Sequence, residues 1–267
     1  MEEKEIVFQS GDIKDLSDYI TTIVRLSKSF DERQKLWFRG HASRNFELVP
    51  SLYRVILSDD KERSPYVLRP HDIYATERGI DLSFSRQATT FSSKNGVKDS
   101  QMNRYFLKQH YKVKTRLLDW TESSLVALYF AISDPAFFDI DAEVKVLLPF
   151  MLNSYTVQTL ANDTSRDAKF IFYSVDEFEK PDDLFTERGG IRLNQLVRKY
   201  AHLDVKKDEQ MFPIAIYPPF LDDRMKAQQS CFTLFGNMYN GLSCSEKSSQ
   251  YLCSISIPAS SKTVILK

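Results

Sequence analysis

QHYKVKTRLLDWTESSLVALYFA, residues 109–131, changes character halfway along. Gln, His, Lys, Thr, Arg and Asp crowd its first part. The second part is an apolar helix pattern, with Leu125, Leu128 and Tyr129 at i, i+3 and i+4 and with Val126 and Phe130 widening the stripe. TRLLDW reads as a strand. Ser123 and Ser124 stand where a hydroxyl accepts from the free N–H groups of a first helical turn. A strand that passes through a polar turn into a helix start offers unpaired N–H groups and the positive end of a macrodipole, which favours an anion. The plainer reading is structural: Arg116 and Asp119 form an internal ion pair, and Thr121 or Ser123 is only a cap.

Upstream, KLWFRG (35–40) reads as a strand that carries Arg39 between aromatics and a glycine. A guanidinium in so apolar a strand needs a partner, because an unpaired buried charge is very costly. That partner is either a carboxylate of the fold or an anionic ligand gripped through two hydrogen bonds. HASRNFELVPSLYR (41–54) reads as an ordered loop that brings His41, Arg44 and Arg54 near Arg39 in sequence. Helical spacing is expected over 12–30, 72–88, 102–111 and 191–202, and weakly over 151–169. The segment 222–236, which carries Gln228 and Gln229, also looks helix-like. Strands are expected at 4–9, 142–150, 170–175, 211–217, 252–257 and 263–266, and a polar, turn-rich loop at 89–100. Helices and strands mix without βαβ alternation. The expected fold is therefore α+β: one domain with a mixed, mostly antiparallel sheet and surrounding helices, residues 1–34 belonging to the same domain.

Composition removes several function classes. The chain has 267 residues, 42% of them hydrophobic, enough for a sizeable core. Formal net charge is zero, so no global pull towards nucleic acid or anionic membrane exists. No apolar run approaches the roughly 20 residues of a membrane helix, and the opening MEEKEIVF is unlike a secretory leader. Three cysteines without CxxC spacing and four scattered histidines give no expectation of a disulfide framework or a metal site, and a reducing cytoplasm suits them. Eight glycines form no phosphate loop of the Rossmann or Walker type.

Four separated stretches resemble the FRG domain: WFRGHASRNFELVPSLYR, the helix carrying Glu77, Phe84 and Arg86, the run 109–131, and DRMKAQQSCFTLFG. That family takes its name from a Phe-Arg-Gly, here Phe38, Arg39 and Gly40, and the resemblance runs from about residue 35 to Lys267. It departs at Lys112 and Lys114, where the family usually has Gly and Pro. The resemblance implies a cytosolic bacterial or phage context of the defence or toxin type. The order of parts is also similar to the ADP-ribosyltransferase plan, with Arg39 early, Thr121 and Ser123 at a strand-to-helix step, and Gln228 or Gln229 late.

Two functions follow from these resemblances and stay open at this point. In the first, the protein consumes NAD as an ADP-ribosyltransferase-like enzyme or a glycohydrolase, with Arg39, Asp119, Thr121 and Gln228 as the catalytic group. Arg39 holds the diphosphate or orients the ribose, and the Thr121 and Ser123 hydroxyls position that ribose. Asp119 faces the developing oxocarbenium, and Gln228 accepts from the sugar. Phe38, Trp120 or Tyr111 stacks on a ring. Gly40, His110, Thr115, Arg116, Gln229 and Phe232 complete the nucleotide pocket, and no metal takes part. In the second, the same pocket is a non-catalytic module for an anionic ligand, a protein target or single-stranded nucleic acid, with His110, Lys112, Lys114, Arg116 and Arg224 joining Arg39 as a cradle. Both require Arg39, Asp119, Thr121 and Gln228 to line one cleft, with Arg39 and Thr121 on the same side of the sheet.

Overall fold

TRLLDW does form a strand. The computed structural model describes residues 13–30, 34–58, 67–92, 101–161, 172–173, 187–188, 191–192, 196, 199–200, 202–203, 205–206, 209–221 and 223–267. The strands are β1 (Trp37–His41), β2 (Leu117–Thr121), β3 (Ala142–Leu147), β4 (Phe172–Tyr173), β5 (Glu187–Arg188), β6 (Ile191–Arg192), β7 (Ile214–Tyr217), β8 (Ser230–Leu234) and β9 (Leu252–Ile257). Seven of them make one sheet in the order β4-β7-β8-β2-β1-β3-β9, and β5 and β6 pair separately. All neighbours in the large sheet are antiparallel except β4 and β7. The helices are α1 (Leu16–Lys28), α2 (Ser51–Ser58), α3 (Pro70–Ser92), α4 (Gln101–His110), α5 (Ser124–Ile132), α6 (Pro149–Ala161), α7 (Asp223–Ala227) and α8 (Ala259–Ile265). The fold is a single α+β domain of the expected kind.

The seam between β1 and β2 shapes everything near it. β1 pairs with β3 from Trp37 to His41, and β2 pairs with β8 from Leu117 to Thr121. β1 and β2 share only the pair Phe38–Thr121 and then part. Side chains alternate along a strand, so Phe38, Thr121 and Asp119 leave one face and Arg39, Trp37 and Trp120 the other. On the Trp37 face one large core forms from Trp37, Leu118, Trp120, Ala215 and Cys231 against Leu52, Tyr53 and Ile56 of α2, Ile73 of α3 and Leu152 of α6. On the Phe38 face there are two separate clusters. Phe38, Val144, Val146 and Ile255 pack on Tyr19 and Leu26 of α1 and on α5. Leu117, Phe232, Leu234 and Ile214 pack on Phe106 of α4 and Met225 of α7. Between these two clusters the sheet presents Asp119 and Thr121, with Ser230 beside Thr121.

Gly40 and α5 explain each other. A Cβ built on Gly40 would lie 1.9 Å from the Ala127 carbonyl oxygen and 2.7 Å from the Ala131 nitrogen. The helix crosses β1 at backbone contact, which only a glycine below and alanines above allow. Ala127, Leu128, Ala131 and Ile132 therefore face the sheet, while Leu125 and Tyr129 of the expected stripe are exposed. α5 is apolar almost all round, so spacing alone could not choose its packed face.

Other expectations change as well. The segment 222–236 is not one helix: α7 stops at Ala227, and β8 follows as a buried strand between β7 and β2. The stretch 263–266 is the end of α8, not a strand, and Val264 is exposed there. The strand of 142–150 closes at Leu147 because Pro149 opens α6, as its preset φ suits a first helical turn. Ile191 and Arg192 are a strand, not the start of the expected helix, while residues 196, 199–200 and 202 are helical. Residues 89–92 belong to α3, not to a loop. The expected strand 4–9 and the rest of the expected loop lie outside the described residues.

At the C-terminal end of α4 the Val113 N–H donates to the Lys108 carbonyl (2.8 Å) and the Lys112 N–H to the Gln109 carbonyl (3.0 Å). With Lys112 at φ 58, this is a Schellman closure whose left-handed position holds a lysine. It is the position at which the resembled family uses glycine. Lys112→Gly is expected to stabilise the protein by about 1 kcal/mol, read as a higher midpoint in urea unfolding. An unchanged or lower midpoint would contradict that backbone assignment.

Candidate functional site: a cleft over the β1–β2 seam

A cleft of about 980 Å³ lies over the seam, walled by β1, α5 and the loop after β1 on one side and by β2, β8, α7 and the end of α4 on the other. Arg39, Asp119, Thr121 and Gln228 all line it. One of the two requirements is met and the other is not: the four residues share a cleft, but Arg39 and Thr121 leave opposite faces of the sheet, because Phe38, not Arg39, is the residue paired with Thr121. The parted strands let the Arg39 guanidinium lie in the gap, where Nη1 donates to the Asp119 carbonyl at 2.7 Å and stands 3.8 Å from Asp119 Oδ2. The Arg39 side chain is 20% exposed and that of Asp119 57%. Burial lowers the Arg39 pKa, the Asp119 charge opposes this, and Arg54 adds to the lowering.

Behind Arg39 a buried polar chain runs along the Trp37 face. Arg39 Nε donates to His41 Nε2 (3.1 Å), and His41 Nδ1 lies 3.3 Å from Glu143 Oε1. Lys145 Nζ stands 2.9 Å from Glu143 Oε2 and donates to Ser254 Oγ at 3.0 Å. Burial alone would raise the Glu143 pKa; the hydrogen bonds from His41 and Lys145 and the charge of Lys145 outweigh it, and the carboxyl sits below its ordinary range.

Asp119 is held from the other side. Gln109 Nε2 donates to Asp119 Oδ2 at 2.7 Å, and Gln109 Oε1 accepts from the Thr115 hydroxyl, which in turn accepts from the Leu117 N–H. Thr115 lies behind the cleft wall and orients Gln109. Thr121 donates to the Gln228 carbonyl (2.6 Å) and accepts from the Ser123 N–H (3.0 Å), so its hydroxyl is committed to the turn. Ser123 caps α5 through the Val126 N–H. The Gln229 carbonyl accepts from the Glu122 N–H at 3.2 Å, and Gln229 stands at φ 45 just past α7. The paired glutamines thus staple the β2–α5 turn with their backbones, while the Gln228 side chain remains on the cleft wall.

The remaining candidates divide. Phe38, Gly40, His110, Trp120 and Phe232 line the cleft; Thr115, Arg116, Ser123 and Gln229 do not. Trp120 belongs to the core, and its Nε1 donates to Thr233 Oγ1 (3.1 Å). Arg116 is 2% exposed and away from the cleft. Its Nε donates to Glu77 Oε1 at 2.7 Å and its Nη1 to the carbonyls of Tyr200 and Phe235. Burial, the largest single influence, works against its charge, but the Glu77 charge and hydrogen bond together with Tyr105 and Tyr53 outweigh it, and the pKa is raised. The internal partner is therefore Glu77 of α3, not Asp119.

Sequence reading gave no site role to Gln109, His41, Phe46 or Phe130. The last two are half-exposed aromatics on the cleft wall, from the loop after β1 and from α5. A period-two reading of WFRGH would have placed His41 beside Arg39. Arg54, Lys112 and Arg224 add cationic groups to the wall, and Glu47, Asp119 and Asp134 add carboxylates. Among the described residues no three His, Cys, Asp or Glu side chains gather as a metal site, and no helix is long and apolar enough to cross a membrane.

No curated protein and no solved structure matches the chain. The segment that supplies β1, Arg39, the Arg116–Glu77 pair, Asp119 and α5 does have a relative: residues 34–139 match the model of the FRG domain.

Proposed function

We propose that the cleft binds a nucleotide of the NAD type and breaks its nicotinamide–ribose bond. The observation that carries this reading is the meeting of the Arg39 guanidinium and the exposed Asp119 carboxylate over a gap in the sheet, within a cleft large enough for a dinucleotide. Arg39 takes the diphosphate. Asp119, aimed by Gln109, stands against the positive charge that grows on the ribose as the C–N bond lengthens. Nicotinamide leaves neutral, and water or a target nucleophile takes its place at the sugar carbon. Phe46 and Phe130 offer ring faces that the buried Trp120 does not. Thr121 and Ser123 act as backbone fasteners. On this reading the protein is a cytosolic bacterial effector of the phage-defence or toxin type, in keeping with its FRG match.

The test is release of free nicotinamide from NAD. Wild type is expected to release it, Arg39→Ala to lose affinity, and Asp119→Asn to bind ADP-ribose but turn over about 100-fold or more slowly. Release by Asp119→Asn at the wild-type rate would remove Asp119 from the chemistry. The second reading, a binding module for an anionic ligand, draws on the four cationic side chains of the wall. It predicts saturable ADP-ribose binding with no release from any variant.

A further inference from the structure

His41 has a single protonation state that fits its neighbours. Its Nε2 receives the Arg39 Nε–H at 3.1 Å, so that nitrogen must carry a lone pair. Its Nδ1 faces a carboxylate oxygen at 3.3 Å, so that nitrogen must carry the proton. The reverse tautomer would set N–H against N–H on one side and a lone pair against Glu143 on the other. Imidazolium would keep the Glu143 contact and lose the Arg39 one. The charged groups that face the ring are Arg39 from β1 and Glu143 and Lys145 from β3; Phe46 meets it edge-on from the following loop. Burial holds the imidazole below its ordinary pKa; the Glu143 hydrogen bond opposes this, and the Arg39 and Lys145 charges add to the lowering.

We propose that His41 is the positioning residue of this cleft: neutral and protonated at Nδ1, locked by Glu143, it accepts from Arg39 and aims the guanidinium across the β1–β2 gap. Acid reverses the arrangement. Protonation turns Nε2 into a donor facing another donor, so the guanidinium must swing away from the ligand. Ligand affinity is then full above the ordinary histidine range near pH 6.5 and falls as the pH drops towards the lowered His41 value. This use of His41 rests on the reading of Arg39 as the group that grips the ligand.

The experiment has two arms on the full chain. In the first, ¹⁵N-histidine spectra without ligand, assigned by loss of one signal set in His41→Gln, should show His41 as the Nδ1–H tautomer at neutral pH. An Nε2–H tautomer or an imidazolium there overturns the proposal. In the second, ADP-ribose affinity is measured from neutral pH down to the pH at which the ¹⁵N spectra show His41 protonated, which lies below the ordinary histidine value of about 6.5. Wild type should weaken by about tenfold, the loss of one charge-assisted hydrogen bond. His41→Gln, which keeps an acceptor and cannot titrate, should stay flat, and His41→Phe should be weak throughout. A flat wild type, or His41→Phe binding like wild type, overturns the proposal. If wild type does not bind ADP-ribose at any pH, the nucleotide reading falls, and the tautomer still decides the role of His41.

Discussion

Gly40→Ala is expected to destabilise the protein by about 3 kcal/mol or more, at the upper end of overpacking costs. The new methyl would meet backbone, not a side-chain tip: the Ala127 carbonyl oxygen at 1.9 Å and the Ala131 nitrogen at 2.7 Å. No rotamer change relieves such a contact. Either α5 lifts from β1 and opens the cluster of Phe38, Leu128 and Ile132, or the strand shifts and strips its pairing with β3. Gly79 is the control. It lies in α3 with nothing within 4 Å of an added Cβ, so Gly79→Ala should stabilise by roughly 0.5–1 kcal/mol through helix propensity. Urea unfolding of both variants separates close approach from a general intolerance of substitution. A Gly40→Ala midpoint near that of wild type would mean that the crossing is looser than described.

Arg116→Met should cost about 3–5 kcal/mol, the usual consequence of removing one member of a buried ion pair. Among the described residues Glu77 would keep only the Tyr105 hydroxyl, which donates to it at 2.6 Å, and the carbonyls of Tyr200 and Phe235 would lose the Nη1 donor. Glu77→Leu added to Arg116→Met should recover a large part of it, because the stranded charge goes. Thermal unfolding of the single and double variants checks this. A double variant worse than Arg116→Met alone would show that the carboxylate contributes through other partners.

The elements legible in the sequence were those with a clean period and an end signal. α1 shows both: a helical repeat, Asp15 accepting from the Asp18 N–H, and Arg25 and Lys28 in its last turn. β1 and β2 were legible because short aromatic and β-favouring runs ended at Gly40 and at the polar turn after Thr121. The order of helices and strands carried the fold class. β8 was misread because SCFTL, buried in the middle of the sheet, lacks the polar half of an alternating pattern. α8 was misread because its last residues, Thr263 to Leu266, form a short β-favouring apolar run that spacing alone cannot tell from a strand. At the site, residue type singled out Arg39 and Asp119, since each needed a partner wherever the chain put it. The role of Arg116 depended on Glu77, 39 residues away, and no local pattern encodes that. The hydroxyls of Thr121 and Ser123 fell to the backbone, in keeping with the preference of such side chains for nearby N–H groups at helix starts.

Phe38 opposite Thr121 is the sole rung between two otherwise well-laddered blocks of strands. The backbone ladder is thinnest there, although the core on the Trp37 face runs unbroken beneath it. An occupant of the cleft would therefore register as slower amide exchange at Phe38 and Thr121 before it did so at the fully laddered strands on either side.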